Sequence, residues 1–463
     1  MDNIAAIYKE QYYNLKDISL MLMCADNPVM SFNIDSGDYR IENPNLMPYQ
    51  LVGKIKEQPS EPNYKSKEDV QKYIAKTLQV SGHNKDAVTS YFASRVLPIT
   101  RANAKKIYGL FGFEQAQDDY SKARIAIICR SVSLLDNYWI RRSSDEKEWK
   151  DIDIRQNHLS EIVAQVSLHG SSLTLQGEPC TPELNGHGAY AKAWIREPDG
   201  LYLHKLGSNG GELESKIEVA VSNILDKTNV DHVRYFADEN GGKYTCKCKC
   251  MTTETKSILS GMDFISYCNV NNLNPDIEMK KLDADSLYKM WIVDYLISNR
   301  DRHGMNWGFF YDANTMQIEG CHPLFDHNNS FDEELMKNKE APYLFDNRMT
   351  MREAAQYAAK RTNIVIKEPI KKEDFLTKDQ YDSFVERAEE IGLSLERAHL
   401  TRAGDDLAYI GQQITDTDAI PKLQKQTPFS ERSPIVQREI EKEKKNREAQ
   451  EKERSKKPQL PHI

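Results

Sequence analysis

Asp301, Asn306 and Asp326 are the residues whose types and spacing point most directly to chemistry. They stand in the runs Asn299-Arg300-Asp301-Arg302-His303-Gly304-Met305-Asn306 and Leu324-Phe325-Asp326. Phosphoryl transfer from a nucleotide requires a carboxylate beside the acceptor hydroxyl, an oxygen ligand for one metal ion, and a second carboxylate for the metal that bridges the phosphates. The three residues supply these types in that order. A polar turn in which Asp and Asn only cap structure is the plainer reading of any one of them; the ordered set argues for a site.

The elements that must position them can be read from periodicity. Leu287 to Ile297 places apolar residues at helical intervals and stops at Ser298-Asn299, which predicts Asp301 on a loop just past a buried helix. Trp307 to Tyr311 and Cys321 to Phe325 read as two strands around the turn Asp312-Ala313-Asn314. Such a hairpin would carry Asn306 and Asp326 to one end, where a metal could be held.

The same chemistry needs a phosphate-covering loop and a strand lysine upstream. Leu201 to Leu206 reads as a strand after the turn Glu197-Pro198-Asp199-Gly200, and makes Lys205 the candidate lysine. The preceding strand-like run, Tyr190 to Arg196, follows Asn185-Gly186-His187-Gly188, where Gly186 and Gly188 would let backbone N–H groups approach phosphates. Gly207 to Gly211 then opens a helix from about Glu212 to Asp226 with Leu213, Ile217, Ala220, Val221, Ile224 and Leu225 on its apolar face. A glutamate of this helix should hold Lys205, either Glu218 or Glu214. Tyr244 to Met251 alternates strictly and predicts a strand with Cys246, Cys248 and Cys250 facing inward. A zinc site is the sharper idea, but there is no second Cys pair of the usual spacing. By chain order this strand leads to a hinge, so the stretch from Met251 to Glu254 is expected to meet the adenine.

Protein kinases keep the five-residue interval between Asp301 and Asn306, but here Asn-Arg-Asp-Arg-His replaces His-Arg-Asp, and His327-Asn328 follows Asp326 where Phe-Gly would stand. With these departures the segment resembles the HipA family of bacterial serine/threonine kinases, in which an Asn-x-Asp-x-His-x-x-x-Asn loop precedes a strand and a second Asp. More distantly it is similar to phosphatidylinositol kinases, which share an Asp-Arg-His-x-x-Asn loop. Ser131 to Ile140 also resembles a segment found before the kinase core of many HipA-like proteins. The resemblance implies an ATP- and Mg2+-dependent kinase of protein Ser/Thr residues, with a protein substrate and an antitoxin or other regulatory partner. Glu218 matches a family-like Glu-Val-x-x-Ser run and is favoured over Glu214. A serine near the phosphate loop silences some HipA-like kinases when phosphorylated; Asn185 to Gly188 contains none.

Other readings remain at this stage. A lipid or small-molecule kinase would keep the same site, and a non-catalytic regulatory or toxin–antitoxin binding module is a third class. A metal-dependent hydrolase built from Asp301, His303, His322, Asp326 and His327 would use good ligand types, but it explains neither Lys205 nor Asn306.

Composition sets the frame. The 463 residues are 39% hydrophobic and carry a formal charge of -8, which favours neither nucleic acid nor anionic lipid as a partner. No signal-like or membrane-spanning apolar run is apparent, and eight irregularly spaced cysteines fit a reducing cytoplasm. The expected fold is α+β: a bilobal kinase-like core with a small β-rich nucleotide lobe (167–260) and a larger helical lobe (261–405). An N-terminal α+β region (1–166) precedes it, and a charged tail (406–463), helical or disordered, follows. In the N-terminal region, strands are expected over Ile18–Met23 and Val29–Ile34 around Ala25-Asp26-Asn27-Pro28, then helices near 69–78, 86–96 and 102–111.

Overall fold

The computed structural model describes residues 4–15, 20–55, 81–142, 146–175, 178–186, 188–208, 211–346 and 348–396. The helix expected near 69–78 and the charged tail lie outside the described residues. The architecture is α+β and bilobal in the kinase-like manner, with a further α+β layer at the N-terminal side.

That layer contains a five-stranded antiparallel sheet of β1 (Leu20–Cys24), β2 (Asn27–Phe32), β3 (Asp38–Ile41), β4 (Ser81–His83) and β5 (Tyr138–Arg142), in the order β4-β3-β2-β1-β5. The hairpin expected around residues 25–28 is tighter than the sequence suggests. Cys24 pairs with Asn27, so the turn is Ala25-Asp26 alone, and Ala25 takes φ +48° to close it. The helices Lys85–Ala93 and Asp119–Ile128 pack together and share a core with Leu22, Val29, Met30 and Phe92.

The small lobe is the antiparallel sheet of β6 (Lys192–Glu197), β7 (Gly200–Lys205), β8 (Tyr235–Asn240) and β9 (Lys243–Lys249), in the order β6-β7-β9-β8. The helix Leu213–Asp226 packs on β8 and β9. Its Val219 joins Tyr235, Cys246 and Cys248 in one cluster, while Ile217, Val221, Ile224 and Leu225 belong to the core of the larger lobe. The helix is thus a wedge between the lobes. Cys246 and Cys248 point inward, whereas Cys250 lies past the strand end and is half-buried.

In the larger lobe the helical segment Pro275–Leu296, kinked at Asp283, presents Leu287, Trp291, Ile292 and Tyr295 to the core and packs against the helices Met351–Ala359 and Lys378–Glu390. A three-stranded sheet covers it: β10 (Lys256–Ser260), β11 (Gly308–Asp312) and β12 (Ile318–Cys321). β10 pairs with β11, so the strand just after the hinge belongs to this sheet. Among the described residues no helix is long and apolar enough to cross a membrane.

The expected strand Cys321–Phe325 ends early, at Cys321. His322 N still donates to Gly308 O (3.1 Å), but Pro323 has no N–H with which to continue the ladder. Leu324 pairs instead with the segment before β8: its N–H donates to Asp231 O (3.0 Å) and its carbonyl accepts from Val233 N (2.8 Å). This detour lifts Phe325 and Asp326 toward the small lobe.

Candidate active site

The loop after the long helix is fastened through its own polar side chains. Asn299 donates from N and Nδ2 to Asp294 O and Oδ1 (2.9 and 2.8 Å), and its Oδ1 accepts from Asp301 N (3.0 Å). His303 Nδ1 accepts from Met305 N (3.1 Å), which tightens the turn. Asn306 Nδ2 donates to Asp301 O (2.9 Å), and this leaves the amide oxygen Oδ1 as the outward atom.

Arg302 is the centre of this loop, a part that its place in the Asp-Arg-His run does not foretell. Its side chain is 0% exposed, as is that of Asp294, its partner at 3.0 Å. Tyr343 Oη donates to the other Asp294 oxygen (2.6 Å). Arg302 Nη1 donates to the carbonyls of Asn306 and Phe325, and Nη2 lies 3.3 Å from His327 Nδ1. One guanidinium therefore joins the Asp301–Asn306 loop to the Phe325–His327 loop.

Above them, Lys205 Nζ donates to Asp326 Oδ1 (2.8 Å) and Tyr235 Oη (3.0 Å), with Glu218 Oε2 at 3.5 Å. Glu218 Oε1 accepts from His327 N (2.8 Å), so the helix glutamate holds both the lysine and the loop beyond Asp326. Glu214 faces elsewhere and accepts from Ser208 Oγ in the glycine-rich turn. Burial opposes the charge of Lys205, but the Asp326 and Glu218 carboxylates outweigh it and hold its pKa well above the ordinary lysine value. Burial would likewise raise Asp326, yet the ammonium groups of Lys205 and Lys192 hold its carboxyl well below the usual range. In Glu218 burial wins over Lys205 and the pKa is raised. Asp326 adopts φ +61°, which an Asp tolerates better than most residues.

Asp301 Oδ2 accepts from Asn329 Nδ2 (3.0 Å), and His303 Nε2 lies 3.7 Å from Oδ1. Burial raises its pKa, with Asp326 adding and His303 opposing. Such a shift moves a carboxylate toward the range useful to a general base.

Lys205 and Asp326 lie on the wall of a cavity of about 500 Å³ whose lining also includes Gly186, Lys192, Met251 and Met305, whereas Asp301, Asn306 and Glu218 are not among its lining residues. Gly188 is not among the lining residues; it takes φ +87°, and an added Cβ there would stand 2.6 Å from Lys192 Nζ. Glu254 is not on the wall: its carboxylate accepts from Gln156 Nε2 and its carbonyl from Asn137 Nδ2, both at 2.6 Å. The turn Thr253–Lys256, closed by Thr253 N donating to Lys256 O (3.0 Å), carries it away from the cavity. Lys192 escaped the sequence reading although a signal was present: the turn at Pro198-Asp199 sets a register that pairs Lys192 with Lys205.

The donor set suits a hard cation. Asn306 Oδ1 and the Asp326 carboxylate are oxygen donors, and magnesium is commonly held by one or two protein oxygens plus substrate phosphates. Among the described residues no cluster of three or more His, Cys, Asp or Glu side chains could hold a metal alone.

No protein-family model matches the chain, and no curated protein matches it. Among solved structures it is similar to the Helicobacter pylori proinflammatory kinase CtkA, at 14% identity over 44% of this chain and 90% of that one, with a TM-score of 0.32. It is also similar to a chain from the Shewanella oneidensis MR-1 toxin–antitoxin complex of HipA, HipB and operator DNA. There the identity is 10% over 81% of this chain and 98% of that one, with a TM-score of 0.43. At these scores the likeness carries no argument. In its own geometry the molecule brings a strand lysine, Lys205, into contact with a helix glutamate, Glu218, and with an aspartate from the opposite lobe, Asp326.

Proposed function

We propose that the protein is an ATP- and Mg2+-dependent serine/threonine protein kinase of HipA-like type. The observation that carries the reading is the contact of Lys205 Nζ with both Glu218 and Asp326 on the wall of a cavity large enough for a nucleotide. In this reading Lys205 contacts phosphate oxygens and Glu218 fixes its position. Gly186 and Gly188 allow close approach of the loop above, and Met251 borders the base. Asn306 and Asp326 would hold magnesium, which would offset the negative charge of the phosphates. Asp301 orients the acceptor hydroxyl and accepts its proton. Residues 167–260 and 261–405 act as the two lobes, and an antitoxin-like regulatory partner belongs to the same proposal.

The test is phosphate incorporation from labelled ATP with Mg2+, offered to protein substrates and to phosphoinositide vesicles in parallel. Transfer to seryl or threonyl residues is expected, with loss of transfer in Asp326→Ala. Transfer to lipid alone would replace the protein-kinase reading, and full activity in a folded Asp326→Ala protein would remove the site assignment.

A further inference from the structure

Asp301 is fastened to its loop through the main chain at several points. Its N–H donates to Asn299 Oδ1 (3.0 Å), and its carbonyl accepts from His303 N and Asn306 Nδ2 (both 2.9 Å). The carboxylate is held far more lightly. Among the described residues the one hydrogen bond it accepts comes from Asn329 Nδ2, to Oδ2 (3.0 Å), and His303 Nε2 stands 3.7 Å from Oδ1. The terminal torsion of an aspartate is broad and has no sharp wells of its own. A single partner therefore decides where the two oxygens point. The side chain keeps 28% exposure, so the carboxylate can be reached from outside.

Asn329 is itself fixed from two sides. Its carbonyl accepts from Arg300 N (3.2 Å), which lays its backbone along the residue before Asp301. Its amide must turn the NH2 toward a carboxylate, which only accepts, and this leaves Oδ1 for another donor. That donor is Tyr190 Oη at 3.5 Å, from the segment that leads into β6 of the small lobe. Burial, with the carboxylates of Glu214, Asp301 and Asp326 adding, raises the tyrosine pKa, so the hydroxyl keeps its proton. The contact is long for a hydroxyl bond, as contacts around a reacting group often are before substrate binds. A relay Tyr190–Asn329–Asp301 thus crosses from one lobe to the other, on the same loop that carries Asp326.

We propose that Asn329 is a positioning residue for phosphoryl transfer: its amide sets the Asp301 carboxylate toward the acceptor hydroxyl, and Tyr190 from the opposite lobe sets the amide. The inference rests on the reading of Asp301 as the group that meets the acceptor. It couples Asp301 to lobe position: a small lobe displaced from the larger one takes the tyrosine away, and the carboxylate loses its fixed orientation. Neither Asn329 nor Tyr190 lines the cavity, so their loss should act on turnover and leave ATP binding alone.

The test compares the full chain with its Asn329→Leu, Asn329→Gln and Tyr190→Phe variants in Mg2+ and ATP, with casein and water as acceptors. For each, kcat, the KM and calorimetric Kd for ATP, and the urea midpoint are measured. A group misplaced by about 1 Å can cost roughly a hundredfold in rate. Asn329→Leu should accordingly lose roughly tenfold to a hundredfold in kcat at unchanged ATP affinity and urea midpoint. Asn329→Gln, which keeps the amide, should recover part of the loss. Tyr190→Phe should lose less, and adding it to Asn329→Leu should cost nothing more, because the two side chains act through one relay. Wild-type kcat in Asn329→Leu, an ATP affinity that falls in step with the rate, or full additivity of the two losses would overturn the proposal. If Asn329→Leu does not fold, Tyr190→Phe decides: an unchanged kcat overturns the relay, and a lower kcat at unchanged ATP affinity and urea midpoint upholds it. A wild type that transfers phosphate to neither casein nor water would instead overturn the phosphoryl-transfer reading itself.

Discussion

The two ends of the cavity are held by different means. At the end held by the Asp301–Asn306 loop, buried charges do the holding: Arg302 against Asp294, both fully enclosed, and Lys205 against Asp326. At the hinge end, the segment Ser133–Asn137 of the N-terminal region grips residues 252–258 through mostly neutral hydrogen bonds. Ile258 N donates to Leu135 O (2.8 Å), Asn137 Nδ2 to Glu254 O (2.6 Å) and Thr252 Oγ1 to Leu134 O. Arg155 Nη2 adds bonds to Leu134 O (3.1 Å) and Thr252 Oγ1 (3.2 Å). A buried ion pair concentrates its energy in two side chains, and removal of either leaves an uncompensated charge. A set of backbone bonds spreads the load over several atoms. The charged end should therefore be brittle to single substitutions and the hinge end tolerant of them.

The largest effect should come from the charged end and be chemical. Asp301→Asn keeps the shape of the loop, including the backbone carbonyl bonded by Asn306, and removes the carboxylate proposed as the base. A fall in turnover of about 10² to 10⁴ is expected, with the urea midpoint nearly unchanged. Turnover equal to wild type would place the acceptor elsewhere. Next in size is Arg302→Met, which strands Asp294 in the core and should cost roughly 3–5 kcal/mol in urea unfolding. Adding Asp294→Asn should return part of that loss because the charge is gone. If the single variant unfolds like wild type, the pair does not hold the loops, and the contrast between the two ends fails at its strongest point.

The same contrast explains what could be read from the chain. Asp301, Asn306, Asp326, Lys205 and the Glu218/Glu214 pair stand out in the chain because the proposed chemistry asks for one side-chain type at a restricted spacing, and the fold brings Lys205, Glu218 and Asp326 together. The elements carrying them also show clear periodicity, such as the helix ending at Leu296 and the β6–β7 hairpin. The hinge brace was illegible because it is made of carbonyls such as those of Leu134 and Leu135, which any residue offers. It also joins segments more than a hundred residues apart in sequence. Arg302 sits inside the recognised loop, yet its part depends on Asp294 and the Phe325 carbonyl, which only the folded chain brings together. The early end of β12 was foreshadowed by Pro323, but its consequence, Leu324 bonding to residues 231–233, is a tertiary choice.

A third effect is acid sensitivity at the charged end. His322 is buried beside Phe325 (ring centroids 5.2 Å apart) with Nδ1 2.9 Å from Pro323 O, the geometry of a neutral ring donating from Nδ1. Burial lowers its pKa from 6.5 to about 4. As pH falls from 6.5 toward 4 the unfolded chain takes up the proton before the folded one does, so stability present above pH 6.5 is lost across that window. The loss should be on the order of 3 kcal/mol. Urea midpoints measured over this range should fall in the wild type and fall less in His322→Gln; parallel slopes would acquit His322.

The smallest effect should come from the hinge. Thr252→Val removes the hydroxyl's bond to Leu134 O and the one it accepts from Arg155 Nη2, but Leu134 O still accepts from Arg155, and the Leu135 and Asn137 bonds are untouched. Each hydrogen bond lost from a retained set is worth about 0.5–1.5 kcal/mol. Turnover at saturating ATP should hold, because Asp301, Asn306 and Asp326 do not depend on Thr252 for any contact, and any change should appear in the KM for ATP through the wall that Thr252 shares with Met251. A destabilisation as large as that of Arg302→Met would mean that Thr252 alone carries the hinge, so that the N-terminal region holds this end through one indispensable contact after all.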